Sequence, residues 1–315
     1  MRYRTLGRTQ LKVSEVGFGA WAIGGNEHGN SYGPTVDDVS RAAVQRAIDL
    51  GCNFFDTADV YGWGHSEELL GQALEGHREE VIIATKVGGD FYHGGVRMNF
   101  SREYIPFALE KSLQRLRTDY VDLYQLHNPP LQLLQDPGVY DLLDDLRSEG
   151  KIRYYGVSIH SPAEGRAVLG DDRADTLQLP FSIFRQEWIE EFFPALEDRD
   201  VGVIAREPLG NGFLTGKYDE GATFPPGDIR HDWPRSFVVG QVRAARQLAV
   251  ALEHREESLA QLALKFCLSF PGISVVIAGA KTPEQVAENM DASDGPPLLE
   301  EVAMLRKLYD ENFGL

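Results

Sequence analysis

The chain has 315 residues, with 31 lysines and arginines against 48 aspartates and glutamates, so its formal net charge at pH 7 is −17. Because a nucleic-acid groove or an anionic membrane surface attracts clustered basic residues, this charge argues against both as partners. Two cysteines are too few for a disulfide framework or a Cys-rich zinc site, and the eight histidines include no HExxH motif, so we expect no metal site.

Targeting and membrane signals are missing from the sequence. No apolar run reaches the length of about 18 residues that a membrane-spanning helix needs. The first ten residues, MRYRTLGRTQ, lack the apolar region of a secretory signal. The sequence therefore predicts a cytoplasmic protein with no membrane association. No heptad pattern or large apolar helix face points to a particular oligomeric state.

Eight short apolar runs of β-branched and aromatic residues alternate with longer stretches of helical periodicity. The apolar runs cover residues 16–21, 53–58, 81–87, 120–127, 152–158, 176–182, 202–209 and 274–279. The helical stretches cover residues 36–50, 101–116, 137–149, 240–254, 258–269 and 282–290. Continuous apolar strands separated by helices are typical of a parallel sheet covered on both faces. Eight such units predict an α/β fold, the (β/α)8 TIM barrel.

The two ends and one long connection complete the predicted architecture. Residues 2–16 contain two β-like pieces around Gly7, which indicates a short N-terminal β-hairpin, and we expect a helix at the C-terminus. Residues 218–239 carry glycine, proline and charges without periodicity, and an aperiodic segment this long is usually a lid or binding loop. Because no linker-like composition interrupts the chain, residues 1–315 are predicted to form a single domain.

Two glycine-rich segments match nucleotide-binding motifs only in part. Residues 17–22 fit GxGxxA after a strand, but the next residues are too polar and glycine-rich to open the helix that a Rossmann pyrophosphate site requires. Residues 210–217 lack P-loop spacing, and Tyr218 stands where that motif needs Ser or Thr. We therefore expect these glycines to allow close backbone approach, or to bind an anion through successive N–H groups.

Titratable side chains end three successive predicted strands. Asp56 ends the second, Lys86 the third and His127 the fourth, while Tyr61 follows Asp56 by five residues. Each has an ordinary explanation by itself, such as a turn, a surface charge or a loop histidine. The combination is more specific, because the active site of a barrel lies where its strands end, and Lys and Asp are rarely buried unless paired.

These four side chains suggest a particular chemistry. A lysine cation beside a phenol lowers the pKa of the phenol, and a carboxylate keeps the lysine charged. A histidine opposite can orient a carbonyl. Such a site protonates a carbonyl oxygen while hydride reaches the carbon, and in reverse it removes an alcohol proton. Because no side chain donates hydride, a nicotinamide or flavin cofactor is required.

Several motifs resemble the aldo-keto reductase superfamily. The segment DTADVYG, residues 56–62, is followed by Lys86 in IIATKV and by His127 after Leu126. The opening RYRTLGRTQLKVSEVGFGAWAIGG, the segment PLGNGFLTGKY and the C-terminal IAGAKTPEQVAENM are similar to the same family in the same order. The resemblance extends from about residue 2 to residue 310.

This resemblance implies roles for individual residues. Tyr61 would be the general acid and base, Lys86 and Asp56 would tune it, and His127 would orient the substrate carbonyl. The implied cofactor-binding residues are Gly19, Trp21, Ser158, Gln178, Arg206, Pro208, Leu209, Gly210, Gly212, Lys217, Gly279, Lys281, Thr282, Gln285, Glu288 and Asn289. Aromatic residues that would line the substrate pocket are Trp21, Trp63, Phe91 and Tyr92, with Trp233 as a further candidate.

Two positions depart from the family pattern. Many relatives carry an aromatic residue at the end of the seventh strand to stack on the nicotinamide, whereas this chain has Arg206 followed by Glu207. An arginine plane can also stack. Many relatives also have Asn after the serine of the fifth strand, where this chain has Ile159. Because Lys281 offers a cation for a 2′-phosphate, we predict that NADP(H) is preferred and that NAD(H) is possible.

The sequence therefore predicts an oxidoreductase that reduces aldehydes or ketones to alcohols with NADP(H), with Tyr61 as the proton donor. Its partner would be a small-molecule carbonyl or alcohol. One alternative is an NAD(P)-dependent sugar (aldose) dehydrogenase of the same family. Another is a non-enzymatic, cofactor-sensing subunit like the potassium-channel beta subunits; the four intact site residues favour turnover.

Overall fold

The chain begins with an antiparallel hairpin, β1 (Tyr3–Thr5) and β2 (Lys12–Ser14), in a computed structural model that describes residues 1–29 and 31–314. Within those residues, eight parallel strands then close into a barrel in sequential order. They are β3 (Val16–Gly19), β4 (Phe54–Asp56), β5 (Ile82–Val87), β8 (Val121–His127), β9 (Ile152–Ser158), β10 (Thr176–Pro180), β11 (Gly202–Arg206) and β12 (Val275–Gly279). A short antiparallel hairpin, β6 (Gly89–Asp90) and β7 (Arg97–Met98), follows β5.

Every predicted apolar run contains one barrel strand, which confirms the (β/α)8 fold and the N-terminal hairpin. The predicted runs 16–21, 53–58, 176–182 and 202–209 extend too far, because β3 ends at Gly19, β4 at Asp56, β10 at Pro180 and β11 at Arg206. Beyond those residues the chain leaves the ladder and turns toward the next helix. Apolar composition continues into these turns, so it does not mark where strand pairing stops.

Helices surround the barrel, and most follow the predicted stretches. Their bounds are α1 (Asp37–Asp49), α2 (His65–Ala73), α3 (Tyr104–Leu116), α4 (Leu131–Leu134), α5 (Pro137–Ser148), α6 (Pro162–Asp171), α7 (Trp188–Glu191), α8 (Arg235–Ala251), α9 (Leu259–Leu268), α10 (Pro283–Asp291) and α11 (Val302–Asp310). The expected C-terminal helix is α11.

The helical predictions need two corrections. The stretch predicted as 240–254 begins earlier, at Arg235, directly after Pro234, so the aperiodic loop is shorter than 218–239. Helices α2, α4, α6 and α7 were not predicted; in α6, Gly165 and Gly170 weaken the helical pattern. Helix α6 starts at a capping box, in which Ser161 and Glu164 each accept a backbone N–H of the other. Gly165 fits there because a Cβ would lie 2.4 Å from the Phe192 ring.

The core has two layers separated by the barrel wall. Inside the barrel lies a small apolar cluster that includes Phe54, Leu123 and Ile204, and the N-terminal hairpin adds Leu6 and Val13 to it. The larger cluster fills the space between the strands and the surrounding helices. The hairpin closes the N-terminal end of the barrel. A ligand site can therefore form only at the opposite end, where the strands finish.

None of the helices in the described part of the chain is both long and apolar enough to span a membrane. The cytoplasmic location and the organisation as a single domain of residues 1–315 stay predictions from the sequence.

Candidate active site

Neighbouring strand ends bring the four predicted catalytic residues to one end of the barrel. Asp56 ends β4, Lys86 is the penultimate residue of β5, and His127 ends β8. Tyr61 opens a 3-10 turn over Tyr61–Gly64 in the loop that leaves β4. Since β4, β5 and β8 are adjacent in the barrel, three side chains that are far apart in sequence share one rim.

Lys86 is at the centre of this group. Its Nζ lies 2.5 Å from Asp56 Oδ1, donates to the Thr57 carbonyl at 2.8 Å, and donates to Tyr61 Oη at 3.3 Å. The side chain is fully buried. Because each ammonium proton has an acceptor, the cation is held in one place directly beside the phenol.

Two side-chain amides donate hydrogen bonds to the other carboxylate oxygen of Asp56. Gln125 Nε2 donates to Asp56 Oδ2 at 3.1 Å, and Gln178 Nε2 donates to the same oxygen at 2.8 Å. Gln178 was predicted to bind the cofactor, whereas Gln125 was missed. The signal for Gln125 is strand alternation, because it precedes His127 by two residues and so faces the same side of β8.

The protonation states suit proton transfer to a substrate. Burial raises the pKa of Tyr61 above its usual value, although the Lys86 cation opposes this shift. Burial acts to lower the pKa of Lys86, but the Asp56 carboxylate outweighs it and raises that pKa. Burial, and then the charges of Lys86 and Arg206, hold the pKa of His127 well below its usual range. At neutral pH the site therefore contains a phenol, an ammonium ion and a neutral imidazole.

Aromatic rings confine the side of the site where Tyr61 lies. The His127 ring meets the Tyr61 ring edge-on, with centroids 5.7 Å apart, and the Trp21 ring stacks on Tyr61 at 6.0 Å. Tyr32, which was not predicted, packs against Trp21 at 4.8 Å. A small carbonyl group would thus reach Tyr61 Oη between an imidazole and an indole.

Polar groups at the ends of β9 and β10 fit the amide of a nicotinamide. Gln178 Oε1 is buried with no hydrogen-bond partner among the described residues. Ser158 Oγ lies beside it in the barrel, paired in register with Gln178, and donates to Asn128 Oδ1 at 3.0 Å. An unpartnered buried acceptor is costly unless a ligand supplies a donor, so this position suits a carboxamide NH2.

Arg206 occupies the position where many relatives have an aromatic residue. Its guanidinium donates to the Ile159 carbonyl at 3.3 Å and to His160 Nδ1 at 2.9 Å, and it pairs with Glu207. The Nε atom is buried without a partner in the described chain. A planar guanidinium held by three groups gives this side of the site a flat polar surface in place of an aromatic ring.

The predicted adenosine-side residues lie at the end of β12 and the start of α10, with several already engaged. Thr282 Oγ1 accepts the Gln285 N–H and so caps α10. Gln285 Oε1 accepts the Lys281 N–H, and Asn289 Nδ2 donates to the Gly279 carbonyl at 3.3 Å. The Glu288 side chain is exposed. These contacts are the capping interactions of a helix start, and they leave the helix N-terminus available to an anion.

Lys281 makes contacts that the sequence did not predict. Its Nζ donates to the carbonyls of Tyr32, Gly33 and Pro34 at 2.6, 3.2 and 3.3 Å. Burial lowers the pKa of Lys281, and the Asp228 carboxylate opposes this shift. The side chain therefore ties the start of α10 to the loop after β3, besides carrying a charge.

The long loop after β11 also contacts the loop after β3. It contains Pro208, Leu209, Gly210, Gly212 and Lys217, which were predicted to pass over the pyrophosphate, and it continues to Pro234. Lys217 is exposed at the start of this extended part.

Two contacts join that loop to Tyr32, which lies in the loop after β3. Arg230 forms a buried ion pair with Asp228 at 2.7 Å and lies 4.9 Å above the Tyr32 ring. Tyr32 Oη donates to Asn211 Oδ1 at 2.7 Å. The loops after β3, β11 and β12 are therefore joined to one another beside Gly19 and Gly279, which pair in register at the ends of β3 and β12.

The predicted substrate aromatics divide into two groups. Trp21 contacts Tyr61, whereas Trp63, Phe91 and Tyr92 stack on one another, with ring centroids 5.8 and 4.4 Å apart. Trp233 packs against Phe213 in a separate apolar cluster within the long loop and against α8. Trp63 also lines a polar cavity of about 370 Å³.

Among the described residues, no group of three or more His, Cys, Asp or Glu side chains is arranged to hold a metal ion.

Comparison with known proteins agrees with this geometry. A model described as the aldo/keto reductase family matches residues 15–310. An uncharacterized oxidoreductase of Bacillus subtilis, YqkF, is 34% identical over 96% of this chain and 94% of its own length. A probable voltage-gated potassium channel subunit beta of Arabidopsis thaliana is also 34% identical, over 96% of this chain and 94% of its own length. The solved structure of an aldo-keto reductase from Bacillus halodurans, in its holo form, superposes with a TM-score of 0.80 at 32% identity and covers 98% of this chain and 96% of that one.

Proposed function

Because this chain belongs to the aldo/keto reductase family, whose members are oxidoreductases that use nicotinamide cofactors, we propose that it reduces aldehydes and ketones to alcohols with NADP(H). The observation that carries this proposal is the hydrogen-bonded series Asp56–Lys86–Tyr61. It places a buried ammonium ion 3.3 Å from a phenol at the open end of the barrel.

The chain supplies the proton in this reaction. Tyr61 Oη donates its proton to the carbonyl oxygen as that oxygen gains negative charge. Lys86 stabilises the phenolate that remains, and Asp56 keeps Lys86 charged and in position. His127, which is neutral, orients the carbonyl by a hydrogen bond. The nicotinamide, when bound, supplies the hydride.

In this proposal the cofactor binds in a groove between the loops after β3, β11 and β12. Ser158 and Gln178 would hold the carboxamide, and Arg206 would contribute to the nicotinamide site where many relatives have an aromatic ring. The segment from Pro208 to Lys217 binds the pyrophosphate through backbone N–H groups. The adenosine side is held by Gly279, Lys281, Thr282, Gln285, Glu288 and Asn289, with Gly19 and Trp21 at the other wall.

Cofactor preference is part of the same proposal. Lys281 places a positive charge at the start of α10, where a 2′-phosphate would also meet the helix N-terminus. Its three carbonyl contacts mean that a phosphate would compete for ammonium protons that are already in use. We therefore propose that NADP(H) is preferred and that NAD(H) is still used.

Substitution of the proton donor tests the proposed reaction. Tyr61→Phe removes the phenol oxygen and keeps the ring, so binding of NADPH should be unchanged while kcat for an aldehyde panel falls by about 10² to 10⁴. Steady-state reduction kinetics and a cofactor fluorescence titration measure the two effects. Lys12→Met, at an exposed lysine of the hairpin, is the control. Undiminished reduction by the Tyr61→Phe variant would contradict the role of Tyr61.

A further inference from the structure

One buried acid beside the site has no part in the mechanism above. Asp59 lies between Asp56 and Tyr61 in the loop after β4, and it is completely buried. Its backbone N–H donates to the Lys86 carbonyl at 3.2 Å. Its Oδ2 accepts the N–H of Gly88, the second residue after Lys86, at 3.3 Å.

These two contacts join the proton donor to its cation. The first ties the loop that carries Tyr61 to Lys86 itself, and the second ties the same loop to the residues after β5. We propose that Asp59 is a positioning residue, which holds the Tyr61 loop against β5 and so sets the distance between Tyr61 Oη and Lys86 Nζ. This inference rests on the proposed function, since it concerns the same proton transfer.

The packing around Asp59 indicates that its hydrogen bond to the Gly88 N–H, and not a negative charge, holds the Tyr61 loop against β5. Arg115 on α3, a cation whose charge acts on Asp59, pairs with Glu67 on α2 at 2.7 Å and donates to Tyr92 Oη at 2.7 Å. Glu67 also accepts from Thr85 Oγ1 at 2.5 Å. The guanidinium is therefore already matched by one carboxylate, and an ionised Asp59 would be a second buried anion with no cation of its own.

The titratable groups that face Asp59 from the packed elements are Glu67 on α2, Arg115 and Tyr104 on α3, Tyr124 on β8, and Tyr92 in the segment after β5. Of these, Arg115 acts to lower the pKa of Asp59, and Glu67 opposes it. Burial, followed by the charge of Glu67, raises the pKa of Asp59 well above its usual value. Oδ1 has no hydrogen-bond partner among the described residues, as expected of a group that makes one bond to the backbone.

Two substitutions separate the hydrogen bond from the charge. Asp59→Asn keeps an oxygen that accepts the Gly88 N–H and should retain most of the wild-type kcat. Asp59→Ala removes the acceptor, lets Tyr61 move away from Lys86, and should lower kcat by about 10- to 100-fold with NADPH affinity unchanged. Because Lys86 then stabilises the phenolate less, the pH at which reduction declines should move upward.

Asp175→Ala is the matched control. Asp175 is a buried carboxylate that accepts a backbone N–H, from Tyr155 at 3.0 Å, but it precedes β10 at the opposite end of the barrel. Its loss should lower thermal stability and leave the pH profile unchanged. The inference is overturned if Asp59→Ala keeps the wild-type profile, or if Asp59→Asn loses as much kcat as Asp59→Ala.

A readout without turnover separates this inference from the proposed function. Fluorotyrosine placed at position 61 reports ionisation of that phenol by fluorine NMR. In the Asp59→Ala background its titration should move to higher pH, and in the Asp59→Asn and Asp175→Ala backgrounds it should not. A wild-type chain that reduces no carbonyl would contradict the proposed function, whereas an unmoved titration in Asp59→Ala would contradict the positioning role.

Discussion

At the scale of single residues, the hydrogen bonds that stabilise the buried Lys86 also hold its charge beside Tyr61, the proposed proton donor. A buried ammonium ion costs several kcal/mol unless it is paired and hydrogen-bonded. Lys86 meets this requirement with Asp56, the Thr57 carbonyl and Tyr61. Tyr61 is thus both a structural acceptor for the cation and the group whose ionised form that cation stabilises.

The direction of the reaction should depend on pH through Tyr61. Reduction needs the protonated phenol and oxidation needs the phenolate. Because burial raises the pKa of Tyr61, reduction should hold constant through neutral pH and decline only above about pH 10, the ordinary value for tyrosine. Oxidation of the alcohol product should rise over the same alkaline range. Profiles of kcat/KM against pH, measured in both directions, check this.

Lys86→Met sharpens this prediction. Since Lys86 opposes the effect of burial on Tyr61, its loss should raise the pKa of Tyr61 further and depress oxidation more than reduction. A reduction profile that declines near neutral pH in the wild type would be incompatible with a buried phenol as the donor.

At the scale of structural elements, the loops after the strands supply what the strands cannot. The strand ends place Asp56, Lys86 and His127, but the proposed cofactor groove beside them would be formed by the loops after β3, β11 and β12. Lys281 holds two of these loops together through three carbonyls, and Arg230 holds the third against Tyr32. The cations near the groove are therefore also connections between elements.

This double role makes a prediction for Lys281. Lys281→Met should lower kcat/KM with NADPH about tenfold more than with NADH, because only NADPH carries the 2′-phosphate; this corresponds to about 1.4 kcal/mol. Lys217→Met, at an exposed lysine of the pyrophosphate segment, should weaken both cofactors alike. Initial rates with each cofactor give the ratios. If Lys281→Met weakens both cofactors equally, Lys281 only connects the loops.

At the scale of the whole molecule, the protein carries a net charge of −17 and would bind an anionic cofactor. Long-range attraction cannot help, so the positive groups must be local, at Arg206, Lys217, Lys281 and the start of α10. In the structure two of these cations have partners nearby, Glu207 for Arg206 and three carbonyls for Lys281. The affinity should thus depend on short-range contacts.

The salt dependence of binding follows from this charge distribution. Added salt screens the repulsion from the acidic surface as well as the local attraction, so the Kd for NADPH should rise by less than about fivefold between 0.05 and 0.5 M salt. Fluorescence titrations at both salt concentrations measure it, with NADH as the control that lacks the 2′-phosphate. A steep loss of affinity would show that long-range attraction contributes after all.

Local signals were sufficient to predict the strands and to single out the four side chains that meet at the rim. The strands were identified because buried parallel strands are continuously apolar, and the polar residues that end them stand out against that background. The contacts between loops were not predicted, because their partners are distant in sequence. Lys281 was predicted to meet a phosphate, yet its carbonyl partners lie about 250 residues away in sequence, where no local pattern marks them.

The sequence by itself determined the barrel, the order of its strands and the identity of the four polar groups at its rim, because each depends on local periodicity or on a side chain at a strand end. Only the tertiary structure decided how those groups interact: that Gln125 and Gln178 share Asp56, that Trp63 stacks on Phe91, and that Asp59 is buried beside Lys86. Such contacts, like the rise in the pKa of Tyr61 on burial, depend on which surfaces the closed barrel brings together and removes from water.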